Sequence, residues 1–383
     1  MKLKMKRTIL FLLVFLAALF SSCTAVYAEE QETQLDQIYS DFNVEEIRES
    51  VPDDTKKLLK ELGLDSIDYT KIINITPKQI FNVIEDILLG CYASPLKCAA
   101  GIIGIILLSS VLKALQTTVE SGGISSVFSF VCSAFVATIV VVNVSGCISN
   151  ACSVIKLSSS FSMVFIPVFT LLVAMGGNPL AAVSFNTVLL GLAQVMNTLA
   201  STFLVPVANV LFGIGIVSGI KPELHFSSIV GFLKKNILLI LSFASSAYMS
   251  LLTIKSSITS AADVVGEKSI RFAISTFVPV IGSAISEGLS SIKGYVSLAK
   301  SAVGIFGIIA IILIFLPSLV EILVWYFSMS FCSLCSEMFE EKSVYLVVKA
   351  IQDTLLILMI VLIFSMVLSL LSVGLMISVR GAQ

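Results

Sequence analysis

Between Lys156 and Lys221 the chain carries no charged side chain at all, and from Ser121 to Ile220 the only charge is Lys156. Apolar stretches fenced by polar residues recur along the rest. Cys98–Leu112 lies between Lys97 and Lys113, followed by Ile124–Ile148, Phe161–Met175 and Leu180–Ile220, the last long enough for two crossings. Asn236–Ile254 is bounded by Lys234, Lys235 and Lys255; then come Phe272–Ser286, Ser301–Val320, Ile322–Ser336 and Thr354–Val379. A helix crosses roughly 30 Å of hydrocarbon with about 20 apolar residues at 1.5 Å each. The pattern therefore predicts an all-α polytopic membrane protein with seven to nine transmembrane or re-entrant helices in residues 96–383. A hydrophobic soluble bundle is the competing reading. Composition weighs against it: 57% hydrophobic and 13% charged residues, with a mean hydropathy of +1.02.

Residues 29–95 break the pattern. They carry 15 of the 25 acidic residues and six of the 24 basic ones, a formal charge of −9. This segment reads as a small acidic helical domain. Asn43 with Glu46 and Thr76 with Gln79 have capping-box spacing, and Pro77 occupies a favoured first helical position. Beyond Thr76, residues Ile80, Ile84, Ile87, Leu88 and Cys91 share one helical face. That face suits a membrane surface or a partner, or equally the other helices of the same domain.

Residues 1–28 have the three parts of a signal peptide: a basic start (Lys2, Lys4, Lys6, Arg7), an apolar run Thr8–Phe20, and Val26-Tyr-Ala28 before the cut. Cleavage after Ala28 would export the acidic domain. Phe20-Ser-Ser-Cys23 is an imperfect lipidation motif that offers the alternative of a lipid-anchored start. With the head outside, the first span runs inward; Lys113, and four crossings later Lys221, Lys234 and Lys235, then fall inside, as the positive-inside bias requires.

Phe165-Ile-Pro-Val168, Leu204-Val-Pro-Val207 and Phe277-Val-Pro-Val280 are near-copies, and Phe315-Leu-Pro-Ser318 is a looser one. The interval from Pro167 to Pro279 matches that from Pro206 to Pro317 to within one position. The matched intervals predict two copies of one helical unit, 124–220 and 236–331, with helix breaks at Pro167, Pro206, Pro279 and Pro317. Repeats with matched breaks are a common way to build a transport pathway; chance similarity in a small apolar alphabet is the alternative.

Chemistry-bearing motifs are sparse. The sequence has no GxxxxGK[ST] phosphate loop, and its one histidine, His225, rules out HExxH. Cys332-Ser-Leu-Cys335 has metal-like spacing without a second ligand pair, so the two cysteines read as helix neighbours. A net charge of −1 leaves no basic footprint for nucleic acid. No enzymatic activity, cofactor or metal is expected. The polar residues inside apolar spans are the candidate sites: Asn143, Asn186, Gln194, Asn197, Asn209 and Glu321. Amides there suit hydrogen bonds between helices, worth roughly 0.6–2 kcal/mol each, or the lining of a wet path. Glu321, ahead of Glu287 and Asp353, is the best intramembrane charge; beside Trp325 and Tyr326 it also suits a span end in an aromatic belt.

Several phrases resemble the stage III sporulation protein AE family. They are Ser94-Pro-Leu-Lys97 leading into Cys98–Leu115, Phe165-Ile-Pro-Val-Phe-Thr-Leu-Leu-Val-Ala-Met-Gly-Gly-Asn-Pro179, and Ala262-Asp-Val-Val-Gly-Glu-Lys-Ser-Ile-Arg-Phe272 running into Phe277-Val-Pro-Val-Ile-Gly282 and Lys300-Ser-Ala-Val-Gly304. The resemblance covers essentially the whole chain. It implies a permease-like, multi-pass subunit of the mother-cell membrane around the forespore, in a channel or secretion-like complex that supports late forespore gene expression. The implied partners are ring-forming subunits, a secretion-type ATPase, a forespore-membrane protein and the lipid bilayer. A stand-alone small-solute permease is the alternative function.

Overall fold

The computed structural model describes residue 39 and residues 44–378, apart from 68, 117–121, 177, 199–200, 203–204, 221–228, 230, 234, 252 and 255–281. The expected signal peptide, Cys23, Asn43, His225 and Pro279 lie outside the described residues. Among those described, the regular secondary structure is all helical.

Among the described residues, four short helices form the head: α1 (Val44–Glu49), α2 (Asp53–Glu61), α3 (Tyr69–Ile73) and α4 (Pro77–Cys91). Helix α2 ends in a Schellman motif. Gly63 adopts φ +76°, and the Gly63 and Leu64 amides donate to the Lys60 and Leu59 carbonyls at 2.9 Å each. Leu59 and Leu64, the apolar pair that accompanies this motif, are both buried. At the start of α4, the Gln79 side-chain oxygen accepts from the Thr76 backbone N–H and hydroxyl, at 2.8 Å each. Pro77 opens the helix, as the sequence predicts. Replacing Gln79 with alanine removes this cap and should lower head stability by about 1 kcal/mol. Thermal unfolding followed by amide exchange in residues 77–91 measures it.

The described residues of the body form α5 (Ala93–Gln116), α6 (Gly122–Met175), α7 (Pro179–Thr198), α8 (Val205–Ile220), a helical stretch α9 at 235–251, α10 (Gly282–Met338) and α11 (Lys342–Ser378). Among the described residues, four segments are long and apolar enough to cross a membrane: Ala93–Ala114, Val127–Met175, Gly294–Met338 and Lys342–Gly374. Two of them merge stretches that the sequence presents as separate spans. Ile124–Ile148 and Phe161–Met175 belong to one helix of 54 residues, about 81 Å long at 1.5 Å per residue. Ser301–Val320 and Ile322–Ser336 belong to one of 57 residues, about 86 Å.

The reason for the merging is local. The intervening Ser149–Ser160 holds Asn150, Lys156 and several serines but no glycine or proline, and serine hydroxyls return to the preceding turn, as Ser162 does to the Ser158 carbonyl at 2.8 Å. Polarity alone does not end a helix when nothing breaks its backbone. Pro167 and Pro317 likewise sit inside α6 and α10 without ending either helix. Pro206 instead stands at the second position of α8, where its missing N–H costs nothing. A turn of π-helix at 201–202 precedes it.

Packing follows a consistent register. Helix α10 runs antiparallel to α6: Glu321 meets Cys147 and Asn150, and Gly307 and Gly304 meet Phe165 and Phe169. Helix α5 runs parallel to the last third of α10, with Cys332 Sγ 3.7 Å from the Ala99 carbonyl and Ser109 beside Glu341. Helix α11 folds back along α10, bringing Ile377 to Gly304. At the centre, Phe161, Phe165 and Phe169 stack along one face of α6, with ring centroids 5.5 and 5.2 Å apart. They fill the notch left by Gly304 and Gly307: a methyl group on Gly307 would lie 2.5 Å from Phe165 Cε2, far inside contact distance. Gly215 of α8 provides the same close approach to Ala350 of α11.

The head is not detached from this bundle. Helix α1 packs on α6, and α2, α3 and α4 pack on α10. Buried Ile47, Leu59 and Val83 join the same apolar core as Ile102 and Phe306. Of the face predicted for α4, Ile80 and Ile87 turn inward beside buried Val83, whereas Leu88 of that face remains exposed, as do Phe81 and Leu89.

Candidate functional site

Two carboxylates sit between helices of the body, and each is held by groups from another part of the chain. The first is Glu341, in the turn from α10 to α11. Helix α10 closes with a Schellman motif in which Glu340, not glycine, takes the left-handed position at φ +56°. The Glu340 and Glu341 amides donate to the Glu337 and Ser336 carbonyls at 3.2 and 2.9 Å. This sharp reversal puts Glu341 at the N-cap of α11, a favourable place for negative charge. Its side chain is fully buried against α5. The Ser109 hydroxyl donates to one carboxylate oxygen at 2.7 Å, and Lys113 Nζ lies 2.8 Å from the other. Ser129 and Ser343 meet nearby at 3.3 Å, adding α6 to the cluster.

Glu340 carries a Cβ where the backbone prefers none, a strain of about 1 kcal/mol. Glu340→Gly should relieve it and raise the thermal midpoint slightly, measured on purified protein in detergent. A falling midpoint would mean that the left-handed turn is absent.

The second carboxylate is Glu321, half-buried in the middle of α10. Asn150 Nδ2 donates to it at 3.1 Å, and Cys147 Sγ approaches its other oxygen at 3.9 Å. Helix α10 continues through Glu321 without a break. Trp325, one turn further on, is buried inside the bundle at 2% exposure.

The other sequence candidates are dispersed. Asn143 donates to the Ile139 carbonyl of its own helix at 3.0 Å. Asn186 Oδ1 is buried without a hydrogen-bond partner among the described residues. Gln194 and Asn209 are exposed on α7 and α8. The side chain of Asn197 lies outside the described residues. Of the six, only Glu321 is drawn into an interhelical cluster among the described residues. Sequence reasoning missed Glu341, Ser109 and Asn150. Glu341 lies in the charged run Glu337–Lys342, which reads as a solvated loop. The usable signal was complementary charge at two span ends: Lys113 closing one apolar stretch and Glu340-Glu341 preceding another.

Chemically, both clusters fasten helices together. Glu341 takes a hydrogen bond from Ser109 and the charge of Lys113, both on α5, and Glu321 a hydrogen bond from Asn150 of α6, which fixes the rotation of α10 in the bundle. A family model described as stage III sporulation protein AE matches residues 65–380. The chain belongs to the stage III sporulation protein AE family. The matched region takes in α3 and α4 of the head, all four membrane-length helices and both carboxylate clusters of this family member. It is also similar to the curated stage III sporulation protein AE of Bacillus subtilis (strain 168), with 22% identity over 167 residues. That alignment covers 44% of this chain and 42% of the relative, so it spans less than half the length of the curated protein. No solved structure matches.

Proposed function

We propose that this sporulation protein is the permease-like membrane subunit of a channel or secretion complex between mother cell and forespore, needed for late forespore gene expression. The observation that carries this reading is the extent of the family match, which runs through head and membrane-length helices together. The apolar body would sit in the mother-cell membrane around the forespore. Residues 29–95 would face the non-cytoplasmic side and meet the intermembrane partners. That orientation puts Lys113 and Glu341 at the cytoplasmic end of α5, in line with the positive-inside bias. Ring-forming subunits, a secretion-type ATPase and a forespore-membrane protein complete the proposed assembly.

Deletion of the gene in its own spore-forming host tests the proposal. The expected phenotype is arrest after engulfment with loss of late forespore transcription, and co-purification of ring and ATPase partners from mild detergent extracts of the wild type. Normal spores from the deletion strain would overturn it.

A further inference from the structure

The middle of the bundle holds a cavity whose apolar lining is interrupted by seven hydroxyl groups. From α6 it receives Ser158, Ser159 and Ser162, and from α11 Ser365, Ser369 and Ser372; Tyr248 of α9 closes one side. On each helix the serines recur at three- and four-residue intervals, so each set occupies one face. Among the described residues, none that lines the cavity is charged. Most of these hydroxyls are engaged: Ser162 and Ser369 bond the carbonyls four residues back, and Tyr248 bonds Ser372. Ser159 and Ser365 are different. Each is 8% exposed, and their Oγ atoms are buried with no hydrogen-bond partner among the described residues.

A buried hydroxyl without a partner loses the hydrogen bonds it had in water, which is why such groups are rare unless water accompanies them. The space is sufficient. The cavity measures about 50 Å³, and a water needs about 10–15 Å³, so there is room for about three or four. Hydroxyls on two facing helices also supply the two to four polar partners that a buried water requires. A cavity lined by carbon alone would instead stay dry.

We propose that this cavity is a water-binding site, holding a small cluster that bridges Ser159 of α6 to Ser365 of α11. The bound ligand is neutral water, and the consequence is a hydrated seam within an apolar bundle, a second polar link between the helices that Ser129 and Ser343 also join. This inference rests on the cavity's own chemistry and stands apart from the channel reading.

X-ray radiolysis of the intact wild-type protein in nanodiscs, in ¹⁸O-labelled water, tests it through two methionines. Met376 lines the cavity and Met329 does not, yet both are fully buried, at 0% exposure. Radicals formed from bound water should oxidise Met376 at least about fivefold faster than Met329, because only Met376 has water beside it. Equal rates at the two positions would overturn the proposal. Ser159→Ala and Ser365→Ala give a second readout of opposite sign for a wet and a dry cavity. Removing a bridging hydroxyl strands its water and should lower Tm by about 2–4 °C. An unchanged or higher Tm would mean that the lost hydroxyl was an unpaired burden, and the water site would be rejected.

Discussion

Lys113→Met is expected to destabilise the folded protein by about 3–5 kcal/mol, the cost of leaving a buried carboxylate without its cation. Glu341 has no solvent to fall back on, since its side chain is fully buried, whereas Lys113 is about one-third exposed. The two single substitutions should therefore differ. Glu341→Gln keeps the shape and an acceptor for the Ser109 hydroxyl, while Lys113 can turn toward solvent, so its cost should be clearly smaller. Combining Lys113→Met with Glu341→Gln should recover much of the loss caused by Lys113→Met alone. Thermal unfolding of the four proteins in one detergent, arranged as a double-mutant cycle, measures this. Additive losses would show that the pair does not interact, and that α5 is held to the α10–α11 turn by other means.

The second large effect concerns the contact between α6 and α10. Where lipid surrounds a bundle, burial gives little net drive between helices, and close packing of small residues against large ones takes over. Phe165 and Gly307 are such a pair. Phe165→Ala should cost about 3–5 kcal/mol, through lost contacts and the cavity left between stacked Phe161 and Phe169. Gly307→Val should cost about 1–3 kcal/mol or more from the opposite cause, because Phe165 is 1% exposed and has nowhere to move. The combination of the two should be less damaging than the sum, the new valine methyls occupying part of the vacated ring space. Strict additivity, or tolerance of Gly307→Val alone, would contradict this register of α6 against α10.

The class of the protein was legible because it depends on quantity: enough apolar residues, with charges gathered at the edges, can only suit lipid. Local backbone signals were legible too. Thr76, Pro77 and Gln79 form the predicted helix start, since a cap needs only neighbours within one turn. The continuity of α6 and α10 was not legible. A polar interruption such as Asn150 to Ser160 looks like a turn in one dimension, and only the partner helix shows that Asn150 faces Glu321. Pro167 and Pro317 misled for a related reason: a kink and a break have the same letter, and neighbouring packing decides between them. Glu341 escaped notice because its pairing with Lys113, more than half the chain away, leaves no local trace. Gly307 and Phe165 are similar: each is ordinary alone, and their meaning lies in the meeting.

The continuity of α6 is the feature on which registers, clusters and packing all depend, and one distance tests it. Spin labels at exposed Val127 and Leu171, in a background cleared of native cysteines, report the span by pulsed dipolar spectroscopy. A single helix places the two Cα atoms about 66 Å apart at 1.5 Å per residue. A hairpin turning near 149–160 would instead bring them within about 20 Å, as two helices packed about 10 Å apart. The long distance is the predicted result, and the short one would contradict this fold.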